Sequence, residues 1–115
     1  MKTIRTIMTG ALVMCSVAAM GMPVFRADFL KLVGAKPNSR VASAQCTLCH
    51  QQNSTKLNPY GLDIQKAKKA AKASTVTAAV LKATAALDSD KDKFPNAREI
   101  KADTLPGDPK SKPAK

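Results

Sequence analysis

Apolar positions recur at helical spacing in several stretches of this chain, and no stretch alternates as a half-buried strand would. Residues 7–19 form a short apolar run behind Lys2 and Arg5, and residues 1–21 carry the marks of a secretory signal peptide. Ala19-Met20-Gly21 offers a small-x-small cleavage site, and Ala18 a second one. The run is short for a membrane span. Cys15 lies inside it and is expected to be lost with the signal. Residues 23–33 predict a first helix, with Pro23 at its start, Gly34 at its stop, and Phe25, Phe29, Leu32 and Val33 on one face. Residues 36–39 predict a turn in which Asn38 or Ser39 caps the next helix, which starts near Arg40 and carries Val41, Ala44 and Leu48. Pro59 and Gly61 predict a rigid turn, followed by a helix over residues 62–73 rich in Ala and Lys. Ser74 or Thr75 then caps a helix through Leu87 with Val76, Val80, Ala83 and Leu87 on one face. The last two helices are expected to form an antiparallel pair. The fold class expected is all-α.

Composition sharpens this outline. One small domain is the most that 115 residues can build, and Phe25, Phe29, Phe94 and Tyr60 are its only aromatics. A core this thin calls for added apolar mass. Lys and Arg number 19 against 8 Asp and Glu, for a net charge of +11, and losing Lys2 and Arg5 with the signal leaves +9. Much of this charge lies between Lys56 and Lys82, including Lys66, Lys68, Lys69 and Lys72. Such a face suits an acidic protein partner or an anionic membrane surface. Nucleic acid is not an expected partner, because the chain is exported and its basic region has no interleaved aromatics.

Cys46-Thr47-Leu48-Cys49-His50 is the pattern C-x-x-C-H, the attachment signal for a c-type haem. Two thiols one turn apart can add to the two porphyrin vinyl groups, and the adjoining imidazole can coordinate the iron. A thioredoxin-type dithiol would need a βαβ setting, and a structural zinc site four ligands where these residues supply three. The expected cofactor is therefore one covalent haem c on Cys46 and Cys49, with His50 as iron ligand. Tyr60 follows closely enough to pack on the haem edge or bond a propionate.

The twelve residues from Asp88 to Glu99 carry a second chemistry. Oxygen side chains fall at positions 1, 3, 5, 9 and 12, from Asp88, Asp90, Asp92, Asn96 and Glu99, as in an EF-hand calcium loop. Position six, where the sharp turn favours glycine, is Lys93. Residues 110–115 have the composition of a disordered tail.

From Ala44 through Pro113 the chain resembles small bacterial monohaem cytochromes c, through C-x-x-C-H, then Leu57-Asn58-Pro59-Tyr60-Gly61, then the acidic loop and Pro106-Gly107-Asp108-Pro109. The acidic loop also resembles thrombospondin type-3 and dockerin-type calcium repeats. The resemblance implies an exported, periplasmic electron carrier with a small helical cytochrome c-like domain over residues 22–109; the chain is expected to be a monomer, and its charge to dock it on an acidic redox partner. It implies Cys46, Cys49 and His50 as haem ligands, and Asp88, Asp90, Asp92, Asn96 and Glu99 as metal ligands. One feature departs from such carriers: no Met follows Met22 and no second His exists. The sixth iron ligand is then Met22, a Lys, Asn58, Tyr60 or water. An open sixth position would suit a gas-binding or sensor protein instead. With His50 committed, no acid–base pair is left to suggest an enzyme.

Overall fold

The computed structural model describes residues 26–114. The expected signal segment, Cys15, Met22 and Phe25 lie outside the described residues. Helices and turns build the described part, without a strand, and the all-α expectation holds there. In chain order the elements are α1 (26–33), α2 (Arg40–Ser43), a 3₁₀ turn (Gln45–Leu48), α3 (Pro59–Ala70), α4 (Ala78–Ala85) and α5 (Asn96–Lys101). No helix among the described residues is long and apolar enough to cross a membrane.

Helix α1 stops where expected. Gly34 takes a left-handed φ of 64°, and the amide of Ala35 returns to the Leu30 carbonyl at 3.0 Å. Ser39 caps α2, its hydroxyl accepting from the Ala42 amide at 3.1 Å. The two amides before it find a partner far along the chain. Asp103 Oδ2 accepts from Arg40 N at 2.9 Å, and Oδ1 from Val41 N at 3.0 Å. All three donors at the start of α2 are thereby satisfied.

Several boundaries move from their expected places. The helix from Arg40 does not run through the cysteines, because Gln45 turns left-handed (φ 53°) and hands the chain to the 3₁₀ turn. Pro59-Tyr60-Gly61 is not a turn but the first turn of α3. Asn58 is its N-cap, accepting from Gly61 N at 2.9 Å, and Pro59 fills the first helical position, where no donor is needed. Helix α3 ends at Ala70 because Lys72 adopts φ 50° and lets Ala73 N bond the Lys68 carbonyl at 2.9 Å. Thr77, rather than Ser74 or Thr75, caps α4 by accepting from Val80 N. On α4 the buried positions are Val80 and Thr84, whereas Ala83 is exposed, as is Leu87 beyond the end of the helix. Thr84 is tolerated inside because its hydroxyl donates to the carbonyls of Val80 and Leu81. Helix α5, unforeseen in the sequence, follows directly from the acidic loop.

Helices α3 and α4 pack together, as expected of a pair, and α5 packs on α4. The core comprises Phe29, Val41, Leu48, Tyr60, Ile64 and Val80, with Phe29 set edge-on to Tyr60 at 6.3 Å. Protein side chains alone therefore form a core. Residues 110–114, expected to be disordered, are tied back: the Ser111 hydroxyl accepts from Leu105 N at 2.9 Å and Pro113 is buried.

Candidate functional site

Cys46 lies within the 3₁₀ turn and Cys49 directly follows it as its C-cap, both as free thiols, Cys46 exposed and Cys49 half-buried. Burial pushes the Cys49 thiol up to about 11, with repulsion from Cys46 adding to it. The His50 ring is fixed by its Nδ1, 2.9 Å from the Thr55 carbonyl. A carbonyl can only accept, so Nδ1 carries the proton and Nε2 keeps its lone pair for a metal. Residues 51–56 form an exposed loop that brings Thr55 to this position. It is closed by Gln51 N on Lys56 O at 2.8 Å and by a single bridge between His50 and Leu57.

The 3₁₀ turn is gripped from α3. Asn58 donates through Nδ2 to the carbonyls of Thr47 (3.0 Å) and Leu48 (3.1 Å), and through its backbone amide to Cys49 O (2.8 Å). One residue thus holds three consecutive carbonyls of the C-x-x-C-H segment. The Cys49 carbonyl presses on the first turn of α3 so closely that a Cβ built on Gly61 would lie 2.0 Å from its oxygen. A Cβ built on Gly107 would likewise collide with the Asn58 side chain, 2.6 Å from its Cγ. The sequence identified Leu57–Gly61 as a motif but missed this role for Asn58.

A cavity of about 500 Å³ opens beside His50, lined by Thr47, Gln51, Gln52, Asn58, Leu105 and Asp108 among others. Tyr60 is not among its walls. It is buried in the core, where burial raises its hydroxyl pKa, Cys49 adds to the rise and a hydrogen bond with Thr84 opposes it. Tyr60 instead lines a second cleft, of about 340 Å³, with Leu32, Leu81 and Ile100. With Asn58 spent on capping and on the motif carbonyls, neither Asn58 nor Tyr60 is free to be a sixth iron ligand.

No protein-family model matches the chain, and no curated protein or solved structure matches it. By their chemistry, two free thiols and an adjoining imidazole, Cys46, Cys49 and His50 fit a covalent haem. Among the described residues, Asp88, Asp90 and Asp92 are the group of three metal-binding side chains whose ligand atoms converge, all within 4.8 Å of one another. Cys46, Cys49 and His50 supply three ligands where a structural zinc site needs four. Two separated, unpaired thiols beside an imidazole with a tethered Nδ1 suit attachment along a flat macrocycle.

The acidic loop folds around its own carboxylates. Asp88 accepts from the amides of Asp92 (3.1 Å) and Lys93 (2.8 Å), and Asp92 Oδ1 accepts from Phe94 N at 2.9 Å. Lys93 takes φ 78° at the sixth position, so the turn forms without glycine. Glu99, at the twelfth, is completely buried. Burial pushes its carboxyl up to about 9, and repulsion from Asp90, then Asp92, adds to this. Asp90 is pushed up to about 7 by burial first and Asp92 second. Asn96, the expected ligand at position nine, is turned to other work. Its Oδ1 accepts from Ser89 N (3.2 Å), and its Nδ2 donates to Thr84 O (2.9 Å) and Ser89 Oγ (2.8 Å), which fastens the loop to α4.

Proposed function

We propose that this protein is an exported monohaem c-type cytochrome that transfers electrons. The observation that carries the reading is His50 held by the Thr55 carbonyl through Nδ1, leaving Nε2 for iron, one residue after the second of two free thiols. Cys46 and Cys49 would hold the cofactor as thioethers, and His50 would be its proximal ligand. Haem c supplies a one-electron ferric/ferrous couple when bound. The chain's part is to hold this segment still: Asn58 binds its carbonyls and Gly61 permits the close approach of α3. Lys66, Lys69, Lys72 and Lys82, all exposed, support docking on an acidic redox partner, with association weakening as salt rises.

The reading is tested by expressing the full chain together with a c-type maturation system and recording the pyridine haemochrome spectrum. Covalent haem c is expected in the wild type, and loss of one thioether in Cys46→Ser. A chain purified without covalent haem would overturn the proposal.

The engagement of Asn58 and Tyr60 favours a second reading, a gas-binding haem protein with a weak or open sixth position. Carbon monoxide added to the ferrous protein separates the two. Rapid formation of a carbon monoxide spectrum supports gas binding, and an unchanged spectrum supports a sealed electron carrier.

A further inference from the structure

We infer that Asp88, Asp90, Asp92 and Glu99 bind one calcium ion, and that this ion braces the segment carrying Cys46, Cys49 and His50. The ligand set differs from the sequence pattern because Asn96 is occupied and Glu99 is the decisive member. Glu99 has no exposed surface, and neither of its carboxylate oxygens has a hydrogen-bond partner. Asp90 Oδ2 and Asp92 Oδ2 are likewise buried and unpartnered, while their other oxygens accept from loop amides. A carboxylate buried without a partner is costly, and a fold that gathers three such groups calls for a cation among them. The donors are all hard oxygens, carried on a loop closed by backbone amides, which suits calcium with its six to eight oxygen ligands. Magnesium gives up its water shell reluctantly and fits a carboxylate cage less well.

The site is wired to the C-x-x-C-H segment by two short routes. Thr104 binds the Glu99 carbonyl through its amide (2.8 Å) and its hydroxyl (3.1 Å), which sets the adjoining Asp103 in place. Asp103 then holds the first two amides of α2, whose far end leads into Gln45 and Cys46. On the other side Ser89 Oγ donates to Asp63 Oδ2 at 2.7 Å, joining the loop to α3, the helix whose N-cap grips the motif. An ion that pins Glu99 and the loop therefore stiffens both holds at once.

The test uses the full chain freed of metal with a chelator, and it does not depend on whether haem is attached. Calorimetric titration with calcium chloride is expected to show one site with a dissociation constant of about 10⁻⁴ M or tighter. Glu99→Gln, which removes a buried charge and keeps the shape, should weaken binding at least about tenfold, and Asp90→Asn serves as the second variant. Hydrogen exchange read residue by residue should slow at amides 40–50 when calcium is added to the wild type. In Asp103→Ala, calcium should still bind but that slowing should be reduced, because only the route through Ser89 and Asp63 remains. Absence of a calcium site, wild-type affinity in both carboxylate variants, or an equal response to magnesium alone would overturn the ion assignment. Unchanged exchange at residues 40–50 in the wild type, or full slowing in Asp103→Ala, would overturn the brace.

Discussion

Two residues outside the C-x-x-C-H pattern control its geometry. Gly61 has no room for a methyl group against the Cys49 carbonyl, and the obstacle is backbone on both sides. Gly61→Ala should therefore destabilise the fold by about 2–3 kcal/mol, measured by urea denaturation. A shift within a few tenths of a kcal/mol would mean that the turn and α3 separate freely. Asn58→Ala removes a helix cap and leaves the Thr47 and Leu48 carbonyls without their donor, a cost of about 1–3 kcal/mol. The cysteines themselves should differ in reactivity as free thiols. With Cys49 pushed up to about 11, only about one part in a thousand is thiolate at pH 8, so iodoacetamide should modify exposed Cys46 first. Alkylation of Cys49 should accelerate as pH rises toward 11, because the charged form is the nucleophile. Mass spectrometry of the haem-free chain at graded pH checks the order, and equal rates at pH 8 would contradict it.

Elements were legible where local chemistry alone decides them. Gly34 stops α1, Ser39 caps α2, and the apolar and lysine-rich spacing marks α3 and α4. The start of α3 was hidden because Asn58-Pro59 serves equally as a turn and as N-cap followed by N1, and packing against the 3₁₀ turn decides between them. Its end was hidden because Lys72, not glycine, takes the left-handed position, at a cost of about 1 kcal/mol. At the candidate site, the two thiols, the imidazole and the acids at positions 1, 3, 5 and 12 could be read directly. The different employment of Asn96 could not, because its partner Thr84 lies on another helix. Nor could Asp103, which closes the start of α2 across 62 and 63 residues of chain. A four-residue helix cannot supply these partners from within itself. Asp103→Ala should cost about 1–2 kcal/mol in thermal unfolding, whereas Asp103→Asn should keep part of the cap through its remaining carbonyl oxygen.

At the scale of the whole molecule, the candidate haem site adjoins the core through Leu48, a core residue, and through Cys49, which packs against it. Phe29, Val41, Leu48, Tyr60, Ile64 and Val80 form the core, and His50 faces a cavity whose walls include Gln51, Gln52 and Asp108. This arrangement bears on the redox potential more directly than on stability. A polar, water-accessible setting and a nearby carboxylate favour the ferric state, and the absence of any Met after Met22 removes the ligand that raises potential in common cytochromes c. The holoprotein should therefore have a midpoint potential well below that of a Met/His-ligated cytochrome c measured alongside it. Asp108 supplies the handle for a test. It lines the cavity but is exposed, and its Oδ1 accepts only a local bond from Lys110 N at 3.0 Å, so Asp108→Asn should leave the fold intact. Removing its negative charge should raise the midpoint, and the difference from wild type should shrink as salt screens the site. A potential matching the Met/His reference would indicate a strong sixth ligand from outside the described residues. An unmoved midpoint in Asp108→Asn would mean that the iron does not lie on this side of His50.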